Sequence, residues 1–234
     1  MTEVSMTLLD MRLFSVSEAG RLLSIPSSTL SYWLHGSRRR GRVYDPVLRE
    51  SLNDDGVLTW GEFIEAGLIK QLRERKVKLD DIRRFSRAAH LGLGWDHPLA
   101  RHDVYVGPSQ KMAYEAQRIA GLDEQAPLFL PAGADKYGSG QQFLFGETLK
   151  DFLEPITFEG EVPVHYRPRH FEVIVDPRVR FGTPHIEGIP TEALWSLHRG
   201  GDTVDAIAES FQLDVRRVEE AIAFEEELQQ YAAA

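Results

Sequence analysis

Residues 27–42 contain two kinds of side chain that suit contact with DNA. Guanidinium groups stay charged and offer a fixed fork of donors to phosphate oxygens. These are Arg38, Arg39, Arg40 and Arg42. Small or planar hydrogen-bonding groups can read the edges of bases. These are Ser28, Thr29, Ser31, Tyr32 and His35. The pattern predicts that these side chains bind DNA; the alternative is that the arginines form a solvated loop and the helices only pack.

A short helix and a tight turn come before the hydrogen-bonding residues. Ser15 stands three residues before Glu18, which is the spacing of a capping box, so this helix is predicted to begin near Val16. Ile25-Pro26 is expected to end it, because the residue before a proline avoids the helical conformation.

A second helix must carry the hydrogen-bonding residues themselves. We expect Ser27 to cap this helix. Leu30 and Leu34 are four residues apart, so they share the inner face and leave the hydrogen-bonding side chains on the outer one. A helix, a turn, a second helix and a basic run in this order are typical of a helix-turn-helix unit that binds DNA.

The charge is distributed unevenly along the chain. Residues 1–90 carry 15 Lys and Arg against 12 Asp and Glu, a net charge of +3. Residues 91–184 have a net charge of −4 and residues 185–234 a net charge of −8. This asymmetry predicts that a polyanion such as DNA would bind to the N-terminal part, because the acidic C-terminal part repels phosphate.

Several classes of enzyme are excluded by the residue types. The chain has no cysteine, which excludes disulfides, thiolate zinc sites and cysteine nucleophiles. His165, His170 and His185 are close in sequence but lack the helical spacing of a metal site. The glycine-rich residues 131–142 lack the ending of a phosphate-binding loop, and no Gly-x-Ser-x-Gly elbow occurs. We therefore expect no enzymatic activity, no metal and no cofactor.

The length and hydropathy of the chain indicate its general class. A chain of 234 residues with 42% hydrophobic residues is long enough to bury a core. It contains no apolar run of the length that a bilayer requires and no signal-peptide pattern at the N-terminus. We expect a cytoplasmic protein that does not contact membranes.

Residues 91–170 differ in character from the helical N-terminal part. Glycines and prolines enter after His90, and apolar residues then occur in short runs that are typical of brief strands. The predicted strands are residues 104–106, 128–130, 143–145, 156–158 and 171–175. A helix is predicted over residues 109–119. These elements predict a small α+β module over residues 91–170.

The last part of the chain predicts a short extended arm and three helices, over residues 191–198, 203–211 and 214–228. Each of these helices begins at a residue suited to capping, and Gly200-Gly201 ends the first one. Apolar residues at helical spacing in the second and third helices predict another helix-turn-helix, which is acidic.

The N-terminal pattern resembles the DNA-binding domain of MerR-type regulators. The motifs that carry this match are Thr29-Leu30-Ser31-Tyr32, the arginines that follow, and a helix pair within residues 59–85. The resemblance implies a MerR-like winged helix-turn-helix head over residues 1–90. The sequence lacks the long dimerising helix of that family and the cysteines of its metal-sensing members.

Residues 171–234 resemble a small helical module of bacterial antitoxins. The matching motifs are Asp176-Pro177, Gly182-Thr183-Pro184 and Glu187-Gly188-Ile189-Pro190, although the usual arginine before the last proline is missing. A MerR-like head, an α+β middle part and this acidic tail together resemble the longer VapB-type antitoxins of type II toxin-antitoxin systems. Those antitoxins pair with PIN-type ribonuclease toxins.

The resemblance implies an antitoxin that binds operator DNA to repress its own operon and that blocks a PIN-type ribonuclease toxin. Such a toxin holds metal in a carboxylate cluster and binds RNA in a positive groove, so an arginine or an acidic face could block it. The candidate arginines are Arg167, Arg169, Arg178 and Arg180. The candidate acidic face contains Glu219, Glu220, Glu225, Glu226 and Glu227.

The expected assembly follows from how one head meets DNA. One head covers few base pairs, so specific binding implies two heads on a palindromic operator, in a homodimer or a toxin-antitoxin hetero-oligomer. The alternative function is a free-standing MerR-like transcription regulator whose middle module binds a small effector. The predicted fold class is mainly α with a small α+β middle part, with the three-helix helix-turn-helix-like module at the C-terminus.

Overall fold

The computed structural model describes residues 8–39, 41–49, 55–74, 76–101, 153–168 and 170–233. About half of these residues are helical, and small two-stranded antiparallel sheets lie between the helices. This agrees with the predicted mainly α fold with a small β part. The predicted elements between residues 104 and 145, together with Arg40 and Arg169, lie outside the described ranges. Within those ranges, no helix has both the length and the apolar character needed to cross a membrane.

The N-terminal elements alternate short strands with helices. In chain order they are β1 (Arg12–Ser15), α1 (Val16–Leu23), α2 (Ser27–His35), β2 (Ser37–Arg39), β3 (Arg42–Tyr44), β4 (Val57–Thr59), α3 (Trp60–Glu74) and α4 (Leu79–Leu93). Strand β1 pairs with β4, and β2 pairs with β3. Because Arg39 lies opposite Arg42, β2 and β3 form a hairpin with a two-residue connection. Gly41 in that connection has a φ of +74°, which glycine adopts without strain.

The C-terminal elements begin with a hairpin and end with three helices. They are β5 (Ile156–Glu159), β6 (Val162–Tyr166), a 3-10 turn (Arg180–Gly182), β7 (His185–Ile186), β8 (Ile189–Pro190), α5 (Thr191–Gly200), α6 (Val204–Phe211) and α7 (Val215–Ala233). Helix α7 therefore continues past the predicted end at residue 228. The strand predicted at residues 171–175 forms only two isolated bridges, Tyr166 with Val175 and Ile174 with His185.

The predicted start of the first helix is confirmed, whereas the predicted cap of the second is wrong. Ser15 Oγ accepts a hydrogen bond from the Glu18 N–H at 3.2 Å, and a Glu18 carboxylate oxygen accepts one from the Ser15 N–H at 2.8 Å. Ser27 is the first residue of α2 rather than its cap, because Pro26 occupies the N-cap position.

The same error occurs at the first C-terminal helix. The sequence predicts Thr191 as the cap of that helix, but Pro190 is at the N-cap and Thr191 lies inside α5. The predicted cap of the second C-terminal helix and the glycine predicted to end the first are confirmed. Thr203 Oγ1 accepts from the Ala206 N–H at 3.2 Å, and Gly201 ends α5 with left-handed backbone.

One hydrophobic core runs through both ends of the chain. The rings of Phe14, Trp60 and Phe63 pack together, with 5.5 Å between the stacked rings of Trp60 and Phe63. Tyr166 of β6 meets Phe63 edge-on at 5.4 Å, and the core continues into α5, α6 and α7. The boundaries at residues 90 and 170 stay predictions; α4 itself continues to Leu93.

A glycine makes a second close junction between the two ends. Gly182 lies against Phe14, and a Cβ added at Gly182 would be 2.8 Å from Phe14 Cζ. The φ of Gly182 is +76°, which L side chains rarely adopt. This position therefore requires glycine for both space and backbone conformation.

Candidate functional site

The outer face of α2 and the β2–β3 hairpin enclose an open groove of about 370 Å³. Its lining residues are Ser28, Thr29, Tyr32, Ser37 and Tyr44. Leu30 and Leu34 are fully buried on the opposite side of α2, as the spacing predicts. The groove therefore presents hydroxyl groups and two phenol rings, which can donate and accept hydrogen bonds.

Tyr44 is a groove residue that the sequence analysis missed. It lies directly opposite Ser37 in the hairpin register and is 39% exposed. A glycine such as Gly41 is a signal for a tight hairpin turn. Pairing residues outward from that turn would have placed Tyr44 opposite Ser37.

Ser31 and His35 already have partners within the protein. Ser31 Oγ lies 3.2 Å from His35 Nδ1, and His35 Nε2 lies 3.0 Å from the backbone carbonyl oxygen of Asp55. A carbonyl oxygen only accepts, so His35 Nε2 is the donor in the bond to Asp55. These two residues hold the C-terminal end of α2 against the segment that precedes β4.

Arg38 and Arg42 are exposed on the hairpin beside the groove. Arg39 is in β2, opposite Arg42, and Arg40 lies outside the described residues. The hairpin also exposes Val43, at 55%. Two arginines that the sequence predicted as phosphate contacts therefore lie on the same hairpin as Ser37 and Tyr44, although neither of them lines the groove.

A buried ion pair holds the base of the hairpin. The Arg49 guanidinium donates to Glu62 from Nε at 2.6 Å and from Nη2 at 3.2 Å. It also donates to the carbonyl oxygens of Asp55 and Val57. The two side chains are 13% and 6% exposed, so removing either one leaves a buried charge without its partner. Glu62 also accepts from the Thr59 N–H at 2.8 Å, which caps α3.

The start of α2 is open to an anion. Pro26 at the N-cap makes no side-chain capping bond. The Thr29 N–H donates to the Pro26 carbonyl at 2.9 Å, so it is the N–H groups before it that lack an intrahelical acceptor, and the helix dipole makes this end positive. A DNA phosphate is a suitable acceptor for these groups.

Arg178 is held by acidic neighbours in the C-terminal part. It donates from Nε to Asp176 at 3.2 Å and from Nη1 to Glu159 at 3.0 Å, and its Nη2 is 2.9 Å from His165 Nε2. Burial alone raises the pKa of Asp176, but hydrogen bonds from the Arg178 side chain and backbone outweigh burial and lower it. The Arg178 side chain is 42% exposed, so it can meet a partner protein, but its charge is already paired with these acidic neighbours.

Arg167 and Arg180 are exposed at the surface. Arg180 makes one long hydrogen bond, from Nε to the Gly188 carbonyl at 3.3 Å. Arg169 lies outside the described residues. The acidic partners of Arg178 therefore distinguish it from Arg180.

Glu225 does not belong to an acidic outer face, which corrects the prediction. It is 7% exposed, and one of its carboxylate oxygens accepts a hydrogen bond from Thr191 Oγ1. Val218 and Ile222 are buried on α7. Residues three to four apart share a helix face, so Glu225 also lies on the face that packs against the core.

Two other candidate glutamates lie at the surface. Glu219 is exposed, and Glu220 accepts from the Glu172 N–H at 3.1 Å. Together with Asp214 they line an open, mainly acidic groove. No group of three or more histidine or acidic side chains within the described ranges could hold a metal.

Comparisons with known proteins agree with an antitoxin-like chain. The family described as "Protein of unknown function (DUF433)" matches residues 173–224. The chain is 23% identical over 227 residues to "Putative antitoxin VapB45" of Mycobacterium tuberculosis, covering 91% of this chain and 93% of that protein. It is 24% identical over 226 residues to "Uncharacterized protein Rv2308" of the same organism, covering 92% and 91%.

A solved structure has the same fold. The crystal structure of Rv2018 from Mycobacterium tuberculosis superposes with a TM-score of 0.61 at 19% identity. The match covers 92% of this chain and 99% of that one. It therefore includes both the N-terminal elements and the C-terminal helices.

Proposed function

We propose that this protein is an antitoxin that represses its own operon and neutralises a PIN-type ribonuclease toxin. A distant relative over nearly the whole chain is named as an antitoxin, which supports the class. The groove between α2 and the β2–β3 hairpin is the observation that carries the DNA-binding half of the proposal.

The N-terminal elements have the order of a winged helix-turn-helix. Helix α2 is the recognition helix, and its Ser28, Thr29 and Tyr32 meet base edges in the major groove. The hairpin is the wing, and Arg38 and Arg42 bind flanking phosphates. The positive charge of residues 1–90 favours this orientation over one that presents the acidic C-terminal part.

Toxin neutralisation belongs to the C-terminal part. Arg180 is the better placed of the candidate arginines near the Arg180–Gly182 turn. Both Arg178 and Arg180 are exposed, but Arg178 is engaged by Asp176 and Glu159, whereas Arg180 makes a long hydrogen bond to the Gly188 carbonyl. Its guanidinium matches a carboxylate cluster, since it forms paired charge-assisted hydrogen bonds. Glu219 and Glu220 are the acidic alternative, which would occupy a positive RNA groove.

The test uses the full chain, because the shared core includes residues from both ends. The protein is co-purified with the ribonuclease encoded beside its gene, and RNA cleavage and operator binding are both measured. We expect the wild type to suppress cleavage and to bind the operator DNA. Arg180→Ala should restore cleavage if an arginine blocks the toxin, whereas Glu219→Gln with Glu220→Gln should restore it if the acidic face does. Wild-type protein that neither binds this ribonuclease nor suppresses its activity would refute the antitoxin assignment.

A further inference from the structure

The Arg180–Gly182 turn holds an aromatic side chain out in solvent on strained backbone. Phe181 is 77% exposed, and its φ is +55°. Arg180 before it has a φ of +47° and Gly182 after it one of +76°. Among the described residues, no other large apolar side chain that is exposed lies on backbone with a positive φ.

The surroundings of the turn fix this conformation. The Gly182 N–H donates to the Val179 carbonyl at 3.1 Å, and the Thr183 N–H and hydroxyl both donate to the Arg180 carbonyl, at 3.2 and 2.8 Å. Gly182 also lies against Phe14 of the core with no room for a Cβ. Phe181 is therefore presented on a supported turn and not on a loose loop.

The exposed ring of Phe181 gains no burial within the isolated chain. A non-glycine residue in the left-handed region costs about 1–3 kcal/mol, and backbone strain of this kind clusters at functional sites. An exposed phenyl ring leaves apolar surface in water that burial would remove. A binding partner that covers the ring recovers this surface, and a ring held rigidly beforehand loses little entropy on binding.

We propose that Phe181 is the apolar anchor through which this chain binds its toxin; this rests on the proposed function. The partner surface is an apolar pocket on the ribonuclease with carboxylates at its border. These carboxylates complement the charge of Arg180, which precedes Phe181 in the chain and is exposed. Buried aromatic and arginine side chains at the centre of an interface carry most of its binding energy.

The charge of the chain argues against two other binding partners for Phe181. DNA is disfavoured because the residues that follow the turn, 185–234, have a net charge of −8. A second copy of the chain is disfavoured because a two-fold contact through this turn would place the two Arg180 guanidinium groups together.

The test measures the affinity of full-length variants for the purified PIN-type ribonuclease encoded beside the gene, by calorimetry at fixed salt. Phe181→Ala should bind about 30-fold more weakly or worse, which is the loss expected of an interface hot spot. Phe181→Gly should bind as weakly while being at least as stable as the wild type, because glycine relieves the strain at φ +55°. Leu91→Ala is the matched control, since Leu91 is 76% exposed on unstrained helix, and it should bind normally.

Each result has a distinct meaning. Wild-type affinity in Phe181→Ala would overturn the anchor while leaving the antitoxin function intact. Loss of self-association or of operator binding, with unchanged affinity for the ribonuclease, would show that the Phe181 ring binds a different partner. That result would also overturn the proposal. A wild-type protein that does not bind the ribonuclease at all would instead refute the function on which the anchor rests.

Discussion

Trp60 and Pro163 are joined by a buried hydrogen bond although 103 residues separate them in sequence. The indole Nε1–H of Trp60, at the start of α3, donates to the Pro163 carbonyl oxygen of β6 at 2.6 Å. Trp60 is fully buried, so neither group can replace its partner with water. This bond joins the elements beside the groove of α2 and the β2–β3 hairpin to the β5–β6 hairpin, which precedes the Arg180–Gly182 turn.

Trp60→Phe should therefore lower the free energy of unfolding by about 1–3 kcal/mol, because the Pro163 carbonyl is left buried without a donor. Urea titration measures this loss, and the whole chain should unfold in one transition. Trp195→Phe is the control, since Trp195 is only half-buried, and it should cost less. An equal loss in both variants would contradict the importance of the Trp60 bond.

Replacing Arg38, Arg39 and Arg40 together with alanine should weaken binding to all DNA sequences about equally. Each phosphate that is no longer neutralised should also reduce the slope of log affinity against log salt by about 0.9, because fewer counterions are released. Fluorescence anisotropy over a salt series measures both quantities. Arg216→Ala is the control, as Arg216 is an exposed arginine on α7, and it should leave the slope unchanged. An unchanged slope in the triple variant would show that these hairpin arginines do not contact DNA phosphates.

Thr29→Val and Tyr44→Phe should instead reduce discrimination between operator and unrelated DNA. Each substitution removes one hydroxyl from the groove, and removing a hydroxyl that binds a base should cost about 1–3 kcal/mol on the operator alone. The measurement is the ratio of the two dissociation constants at one salt concentration. Val43→Ala, a change on the exposed hairpin beside the groove, should keep the wild-type ratio. Equal weakening on both DNAs would show that these hydroxyls do not read bases.

His97 should make the protein less stable as the pH rises above about 6.5. Burial alone lowers the pKa of His97, but the hydrogen bond and negative charge of Glu65, whose Oε2 is 3.2 Å from Nδ1, outweigh burial and raise it above 6.5. A raised pKa in the folded state gives stabilisation that is complete below about pH 6.5 and is lost as the pH rises through the folded value. Chemical unfolding across this range should show the loss in the wild type and not in His97→Gln. Identical pH profiles would contradict the role of the pair.

Glu225→Gln should stabilise the protein at neutral pH. Burial raises the pKa of Glu225 more than the hydrogen bond from Thr191 lowers it, so the folded state disfavours the ionised carboxylate. The amide oxygen of glutamine still accepts from Thr191 but carries no charge. The gain should shrink as the pH falls through the raised pKa, because the carboxyl group then becomes neutral in the wild type. Thermal unfolding tests this against Glu226→Gln, an exposed neighbour that should have little effect; a destabilised Glu225→Gln would contradict it.

Local patterns were sufficient for most helix boundaries, because capping depends on residues within one turn. Ser15 with Glu18, Thr203 and Gly201 all act at the positions that their types predict. The two errors have one cause. Ser27 and Thr191 each follow an Ile-Pro pair, and the proline takes the N-cap position, so the hydroxyl residue begins the helix instead.

The sequence by itself determined the helical periods, the basic run after the second helix and the separation of charge, since these depend on residue type and on spacing over a few residues. Only the tertiary structure decided which candidates are accessible. His35 turns to Asp55 and Glu225 to Thr191, while Phe181 is left in solvent. The contacts made by His35 and Glu225 join residues 20 and 34 positions apart. No pattern within one helix or strand contains both partners of such a contact, so burial and pairing depended on how the distant elements pack.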